Sequence, residues 1–200
     1  MANESTFNLF NKMDATNQWY NFESTIPLPD LHGKSDILEQ HHVRELSKSL
    51  SARAEGYAWT LAFTTSQMGF SLKSLYRSLA KYEGPVLLVI KDTENVVFGA
   101  FCSCSLLPSE SFYGTGETYL FTFKSNPTQI KRYPWTGDNL YFINGNSESI
   151  VVGAGDGAFG LWLDQDLYHG STHCCKTFNN EPLTNHEDFV VSALECWCFL

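Results

Sequence analysis

The sequence contains no apolar run close to the ~20 residues that a membrane-spanning helix needs, which excludes a helical membrane protein. Its first residues lack the basic region and the apolar stretch of a secretory signal, so we expect an intracellular protein with reduced cysteines. It has no internal repeat and no low-complexity tract. Of its 200 residues, 43% are apolar, 14% aromatic and 18% charged, which excludes a disordered chain and predicts one globular domain.

Basic residues are scarce in the last third of the chain. From residue 133 to 200, Lys176 is the one basic residue against nine acidic ones, so this segment carries −8 of the total formal charge of −9. Such a segment repels phosphate backbones, so we expect no direct binding of nucleic acid. It would attract a basic protein surface, although the same charge also serves solubility.

The spacing of apolar residues predicts an α+β domain. Residues 1–34 are polar with scattered aromatics and are predicted to be a lead-in segment to a domain at 35–200. Helical spacing begins at Ser35 and stops at Gly56, and it returns over residues 71–81. Most of the remaining chain alternates between apolar and polar residues, which predicts an antiparallel β-sandwich core flanked by helices. Strands are predicted over residues 57–64, 86–91, 96–105, 117–124, 139–143, 149–153, 159–163 and 189–199.

Three motifs have the spacing of known sites but lack the context that those sites need. Residues 155–160 read G-x-G-x-x-G, but the alternation after them predicts a strand and not the helix that would face a pyrophosphate. Residues 164–166 resemble the start of a calcium loop, but Tyr168 occupies a ligand position. Histidines, a serine and an aspartate between residues 169 and 188 form no nucleophile elbow. We therefore expect no cofactor, no metal and no catalytic centre.

Six cysteines form three close pairs, which are Cys102/Cys104, Cys174/Cys175 and Cys196/Cys198. A Cys-x-Cys pair on a strand presents both sulfurs on one face, but zinc sites usually space their cysteines by about two to four residues. Buried, unreactive cysteine is therefore the preferred interpretation. The alternative is a thiol-based peroxide scavenger that uses Cys174 or a Cys-x-Cys pair. A small-ligand pocket between sheet and helices is a third hypothesis.

Gly114 and Gly116 permit an unusual backbone immediately before an aromatic strand that Glu117 is expected to enter. A carboxylate buried there must be paired or hydrogen-bonded. Glu117 is either a binding determinant or a structural carboxylate that ties the turn.

Separate blocks of residues, in order along the chain, together have a recognisable pattern. They are residues 69–72 with 75–77, 85–92, 98–101, 112–117, 135–137, 159–164, 174 with 177–178, and 194–195 with 197. These blocks resemble the TLDc domain family, to which the oxidation resistance proteins and nuclear receptor coactivator 7 belong. The similarity runs from about Leu38 to the last residue. Met68, Ser51 and residues 124–133 depart from the family pattern.

The resemblance implies a β-sandwich flanked by helices and a role in protection against oxidative stress. Several family members look like regulators that bind the peripheral sector of the vacuolar proton pump (V-ATPase), and the family has no established catalytic centre. The expected protein is therefore a non-catalytic monomer that binds V-ATPase subunits. The expected location is the cytoplasm, and also the nucleus or endolysosomal membranes through a partner.

The acidic last third is the candidate docking face, where Asp164, Asp166, Glu187 and Asp188 are the residues to reverse in charge. The family-signature or partner-binding candidates are Gly114, Gly116, Glu117, Asp156, Gly157, Gly160, Asp164, Asp166 and Glu195.

Overall fold

The computed structural model describes residues 28–200. The predicted lead-in segment lies mostly outside the described residues, and its final residues contain a short strand, β1. The three helices in the described part are α1 (Gln40–Ser47), α2 (Thr65–Met68) and α3 (Leu72–Leu79). The eleven strands there are β1 (Leu31–His32), β2 (Trp59–Thr64), β3 (Val86–Asp92), β4 (Val97–Cys102), β5 (Tyr119–Thr122), β6 (Lys131–Tyr133), β7 (Ile143–Gly145), β8 (Ser149–Gly155), β9 (Ala158–Asp164), β10 (His169–Ser171) and β11 (Asp188–Phe199).

The strands form two connected layers that share the long strand β11. The hydrogen-bonded order is β6-β5-β4-β3-β11-β10-β9-β8-β7, and β2 pairs with the second half of β11. The first residues of β11 pair with β10, whereas residues 191–198 pair with β3. All these pairs are antiparallel, and only the short β1–β2 pair among the described strands is parallel. The predicted α+β class and antiparallel sandwich are confirmed.

The main core lies between the two layers. Leu88 and Phe98 of the first layer and Val152 and Leu161 of the second belong to one buried apolar cluster. The opposite face of the first layer is covered by α1, whose Val43 and Leu46 share a second cluster with residues of β3 and β11. Both faces of β3 are therefore buried, which is why its sequence is an uninterrupted apolar run.

Helix α3 begins after Ser71, whose Oγ accepts a hydrogen bond from Ser74 N at 3.3 Å, as the spacing predicts. The prediction for α1 is wrong about its start, because the helix begins at Gln40 and not at Ser35. Ser35 Oγ accepts the N–H groups of residues 37 and 38 and itself donates to Glu195, which fixes a local turn ahead of the helix.

The strand β2 also differs from its predicted alternation. Trp59 and Leu61 face α1, but Phe63 lies in the sandwich core. Leu61 pairs with Trp197 and Phe63 with the preceding residue of β11, so Ala62 is an extra residue on the β2 side. Because of this bulge, Phe63 lies on the opposite face of the strand from Trp59 and Leu61, whereas strict alternation would place all three on one face.

No helix among residues 28–200 has the length and apolar content that a membrane crossing requires.

Candidate functional site

One end of the sandwich is built from three connections: the β3–β4 turn, the β9–β10 turn and the segment that leads into β11. In the first turn, Asp92 Oδ1 accepts hydrogen bonds from the N–H groups of Glu94 at 2.9 Å and Val96 at 2.8 Å. In the second, Asp164 Oδ1 accepts from Tyr168 N at 2.9 Å. Both are side-chain-stabilised turns of the kind that Asp favours. We call the surface formed by Asp92, Glu94, Asp164, Asp166, Glu187 and Asp188 the acidic end.

Histidines are the only charge partners of the acidic end among the described residues. Glu94 Oε1 lies 3.2 Å from His186 Nε2, and Asp164 Oδ2 lies 3.3 Å from His169 Nδ1. Glu187 Oε1 lies 3.5 Å from a third histidine, His173.

Lysine and arginine pair with carboxylates elsewhere on the described surface, as in Lys131–Glu181 and Lys176–Asp156, both at 2.8 Å. No carboxylate of the acidic end has such a partner within residues 28–200. With neutral histidines this surface therefore keeps its negative charge.

The β9–β10 turn brings two of the predicted candidates into the acidic end. Asp164 is half-buried and Asp166 is exposed. Asp92 and Glu94 of the β3–β4 turn and His186 also lie there, although none of the three was among the predicted site residues. Only the pairing of β11 with both β3 and β10 places that turn beside residues 164–166.

The Gly114–Glu117 segment lies in a turn and not in a strand, because β5 begins at Tyr119. Gly114 has φ +98°, and a Cβ on Gly116 would clash with the Trp135 ring. Glu117 Oε2 is 3.8 Å from Arg53 Nη1 on the surface. The expectation that Glu117 enters the strand is wrong, and its surroundings favour the structural interpretation.

The G-x-G-x-x-G segment is the β8–β9 hairpin and is followed by strand, as the alternation predicts. Asp156 (φ +56°) and Gly157 (φ +77°) occupy the left-handed conformations of a tight two-residue turn. Asp156 forms the ion pair with Lys176. Gly160 is buried, and a Cβ there would lie 2.7 Å from Leu120 Cδ1 across the sandwich. The turn conformation and the close packing therefore explain why glycine is present at positions 157 and 160.

Glu195 is fully buried, so it does not contact a partner's surface directly. Its Oε2 accepts hydrogen bonds from Ser35 Oγ at 2.7 Å and Trp197 Nε1 at 3.0 Å, and its Oε1 accepts from Asp36 N at 2.6 Å. Three donors satisfy this carboxylate, as a buried charge requires.

The cysteines differ sharply in accessibility. Of the six, Cys174 is the exposed one, Cys104 is half-buried and the others are buried. Burial raises the pKa of Cys198 to about 12 and raises the pKa values of Cys102 and Cys196. Thiols with raised pKa values stay protonated near neutral pH and react slowly with peroxide, so the Cys-x-Cys pairs are poorly suited to scavenging. No group of three or more metal-ligating side chains forms within residues 28–200.

Comparison with known proteins gives a consistent result. The profile of the TLDc domain matches residues 31–200. Human nuclear receptor coactivator 7 is 48% identical over 185 residues, which are 92% of this chain and 19% of the relative. Oxidation resistance protein 1 of Xenopus laevis is 45% identical over 189 residues, which are 94% of this chain and 22% of the relative. The chain thus spans about a fifth of the length of these relatives. It belongs to the TLDc domain family.

Proposed function

We propose that this chain is a non-catalytic regulator that protects against oxidative stress by binding another protein through the acidic end. The partner that we propose is a subunit of the V-ATPase peripheral sector. The observation that carries the proposal is the set of carboxylates that have no lysine or arginine partner within the described residues. An oxidative-stress role is consistent with the name of the relative oxidation resistance protein 1.

An apolar patch beside the acidic end adds to this argument. Met68, Phe70 and Tyr168 are 43%, 40% and 47% exposed, and the Phe70 and Tyr168 rings lie 6.1 Å apart. Leu72 N donates to Gln165 O at 2.9 Å, which holds the start of α3 against the β9–β10 turn. Apolar rings beside charged groups have the composition of a protein interface, with an apolar centre and a polar rim.

We further propose that the chain acts as a monomer in the cytoplasm. It would reach the nucleus or endolysosomal membranes through its partner and not by its own insertion into lipid.

The test is a pull-down of V-ATPase subunits with the purified chain at low and high salt. We expect recovery at low salt and less at high salt, because ions screen exposed charges. The variant with Asp164, Asp166, Glu187 and Asp188 all changed to Lys should bind at least about tenfold more weakly. The control changes the same number of exposed acids elsewhere, namely Glu55, Glu83, Glu110 and Glu148.

Failure to recover pump subunits at either salt concentration would remove the proposed partner. Unchanged affinity in a folded fourfold variant would remove the acidic end as the docking surface.

A thiol-based peroxide scavenger is the second candidate function, and the exposure of Cys174 is the observation that favours it. Replacing Cys174 by Ser separates the two functions in cells under peroxide stress. Retained protection supports the binding role, whereas lost protection in a folded variant supports the scavenger.

A further inference from the structure

A cleft of about 420 Å³ opens within the acidic end. Its walls come from the β3–β4 turn, from β10 and from the segment that leads into β11. The residues that carry its chemistry are Asp92, Glu94, Trp162, His169, His186 and Asp188. Among the described residues that line it, none is a lysine or an arginine.

Asp92 is the most deeply placed carboxylate of this cleft, with 3% of its surface exposed. Its Oδ1 accepts the two backbone hydrogen bonds of the β3–β4 turn. Its Oδ2 accepts none from residues 28–200. Burial is the main cause that raises the pKa of Asp92, with smaller opposing effects from the two backbone N–H groups and His186. Because Oδ2 has no donor within the described residues, a cationic group that enters the cleft can donate a hydrogen bond to it.

Trp162 gives the cleft an aromatic side. It alternates with the core residues Leu161 and Leu163 along β9, so it lies on the outer face of the second layer, where it is half-buried. Glu94 and Asp188 stand in the other walls. Carboxylates beside an indole form the chemical environment that a guanidinium group prefers, because its planar face stacks on the ring and its N–H groups reach carboxylates in pairs.

We propose that this cleft binds an arginine side chain of the partner protein. The proposal rests on the protein-binding function above and names the group that the acidic end recognises. Arginine is favoured over lysine because its guanidinium is more weakly hydrated and matches both the indole and the carboxylates. The titratable and charged groups that face the cleft are the three carboxylates, His169 and His186; Asp164 faces His169. Protonated histidines would compete with the guanidinium.

The experiment titrates the chain with the blocked tripeptide Gly-Arg-Gly and follows Trp fluorescence and the backbone amide signals of Gly170 and Ser171. The matched probe replaces arginine by citrulline, which has the same shape without the charge. A third probe contains lysine. We expect saturable shifts with the arginine peptide, no saturation with the citrulline peptide and at least about threefold weaker binding of the lysine peptide.

The variant Asp92→Asn tests the site, because the Asn side-chain oxygen still accepts the two backbone hydrogen bonds of the turn. It should bind the arginine peptide about tenfold more weakly. Glu148→Gln, which changes an exposed acid on the β7–β8 turn, is the control and should bind as the unchanged chain does. If Asp92→Asn fails to fold, Glu94→Gln combined with Asp188→Asn replaces it.

Equal binding of the arginine and citrulline peptides would overturn the proposal, as would equal binding by folded Asp92→Asn. Lysine binding as tight as arginine binding would overturn the guanidinium assignment. The two proposals fail separately. Arginine binding without pump binding removes the V-ATPase partner and keeps the cleft, whereas pump binding without arginine binding removes the cleft and keeps the partner.

Discussion

Ser35 Oγ donates a 2.7 Å hydrogen bond to Glu195 Oε2 across a separation of 160 residues. The same carboxylate accepts Asp36 N, so it ties the segment ahead of α1 to the buried strand β11. These hydrogen bonds therefore connect the first residues of the domain to its last strand.

Removing this carboxylate should destabilise the protein. Glu195→Ala leaves Trp197 Nε1 buried without a partner and removes the acceptor of Ser35 Oγ and Asp36 N, so we expect the free energy of unfolding to fall by roughly 3 kcal/mol. Ser35→Ala should cost about 1–2 kcal/mol, because the carboxylate keeps two donors but the N–H groups of residues 37 and 38 lose their side-chain acceptor. Urea denaturation measures both. Ser147→Ala on the exposed β7–β8 turn is the control. A Glu195→Ala variant as stable as the unchanged chain would contradict the role given to this residue.

The stability of the protein should fall as the pH drops from about 6.5 to about 4. Burial, followed by the nearby His41, lowers the pKa of His42 from 6.5 to about 4, and Glu39 opposes them. Between these values the unfolded chain binds a proton that the folded chain does not, so acidification favours unfolding. The stabilisation that comes from keeping His42 neutral is fully present above pH 6.5. About 3 kcal/mol of the free energy of unfolding is lost once the pH has fallen to about 4. Urea denaturation at a series of pH values measures it.

The control for this pH dependence is His42→Gln, whose side chain can still accept the hydrogen bond that Glu39 N donates to His42 Nδ1 at 3.1 Å. The variant lacks the titrating ring, so its stability should vary less over this pH range. An identical pH profile in both proteins would show that His42 is not the group responsible.

Gly160 should tolerate no side chain. A Cβ there would lie 2.7 Å from Leu120 Cδ1 and 3.0 Å from both Cys175 Sγ and Val152 O. We expect Gly160→Ala to cost about 1–3 kcal/mol through overpacking. Gly84→Ala is the matched control, because a Cβ there meets nothing within 4 Å and the backbone does not have positive φ. Thermal unfolding of both variants decides the point; equal melting temperatures would refute the packing argument.

Thiol labelling of the folded protein should show one fast-reacting cysteine. Cys174 is exposed, whereas burial raises the pKa of the half-buried Cys104 and of the buried Cys175. With a chromogenic disulfide reagent we expect about one thiol to react quickly and the others to wait for unfolding. Cys174→Ser should abolish the fast phase. A fast phase that survives in this variant would mean that another cysteine is accessible.

Several elements followed from local sequence. Ser71 and the apolar spacing after it predict α3, and the continuous apolar run of β3 predicts a buried strand. The strand β9 also follows, because the alternation of Phe159, Leu161 and Leu163 is incompatible with a nucleotide-binding helix. In each case the determining interactions lie within a few residues of one another, and the sequence displays them directly.

The sequence by itself determined α3, β3 and β9, the antiparallel sandwich class and the surplus of negative charge in the last third of the chain. The tertiary structure alone decided that Asp92 and Glu94 join Asp188 around one cleft, that Glu195 is buried against Ser35, and that a bulge at Ala62 places Phe63 in the core. The physical reason is that these outcomes depend on the pairing and register of β11 with three other strands. Register between distant strands is set by packing of the whole core and not by the residues of any one segment.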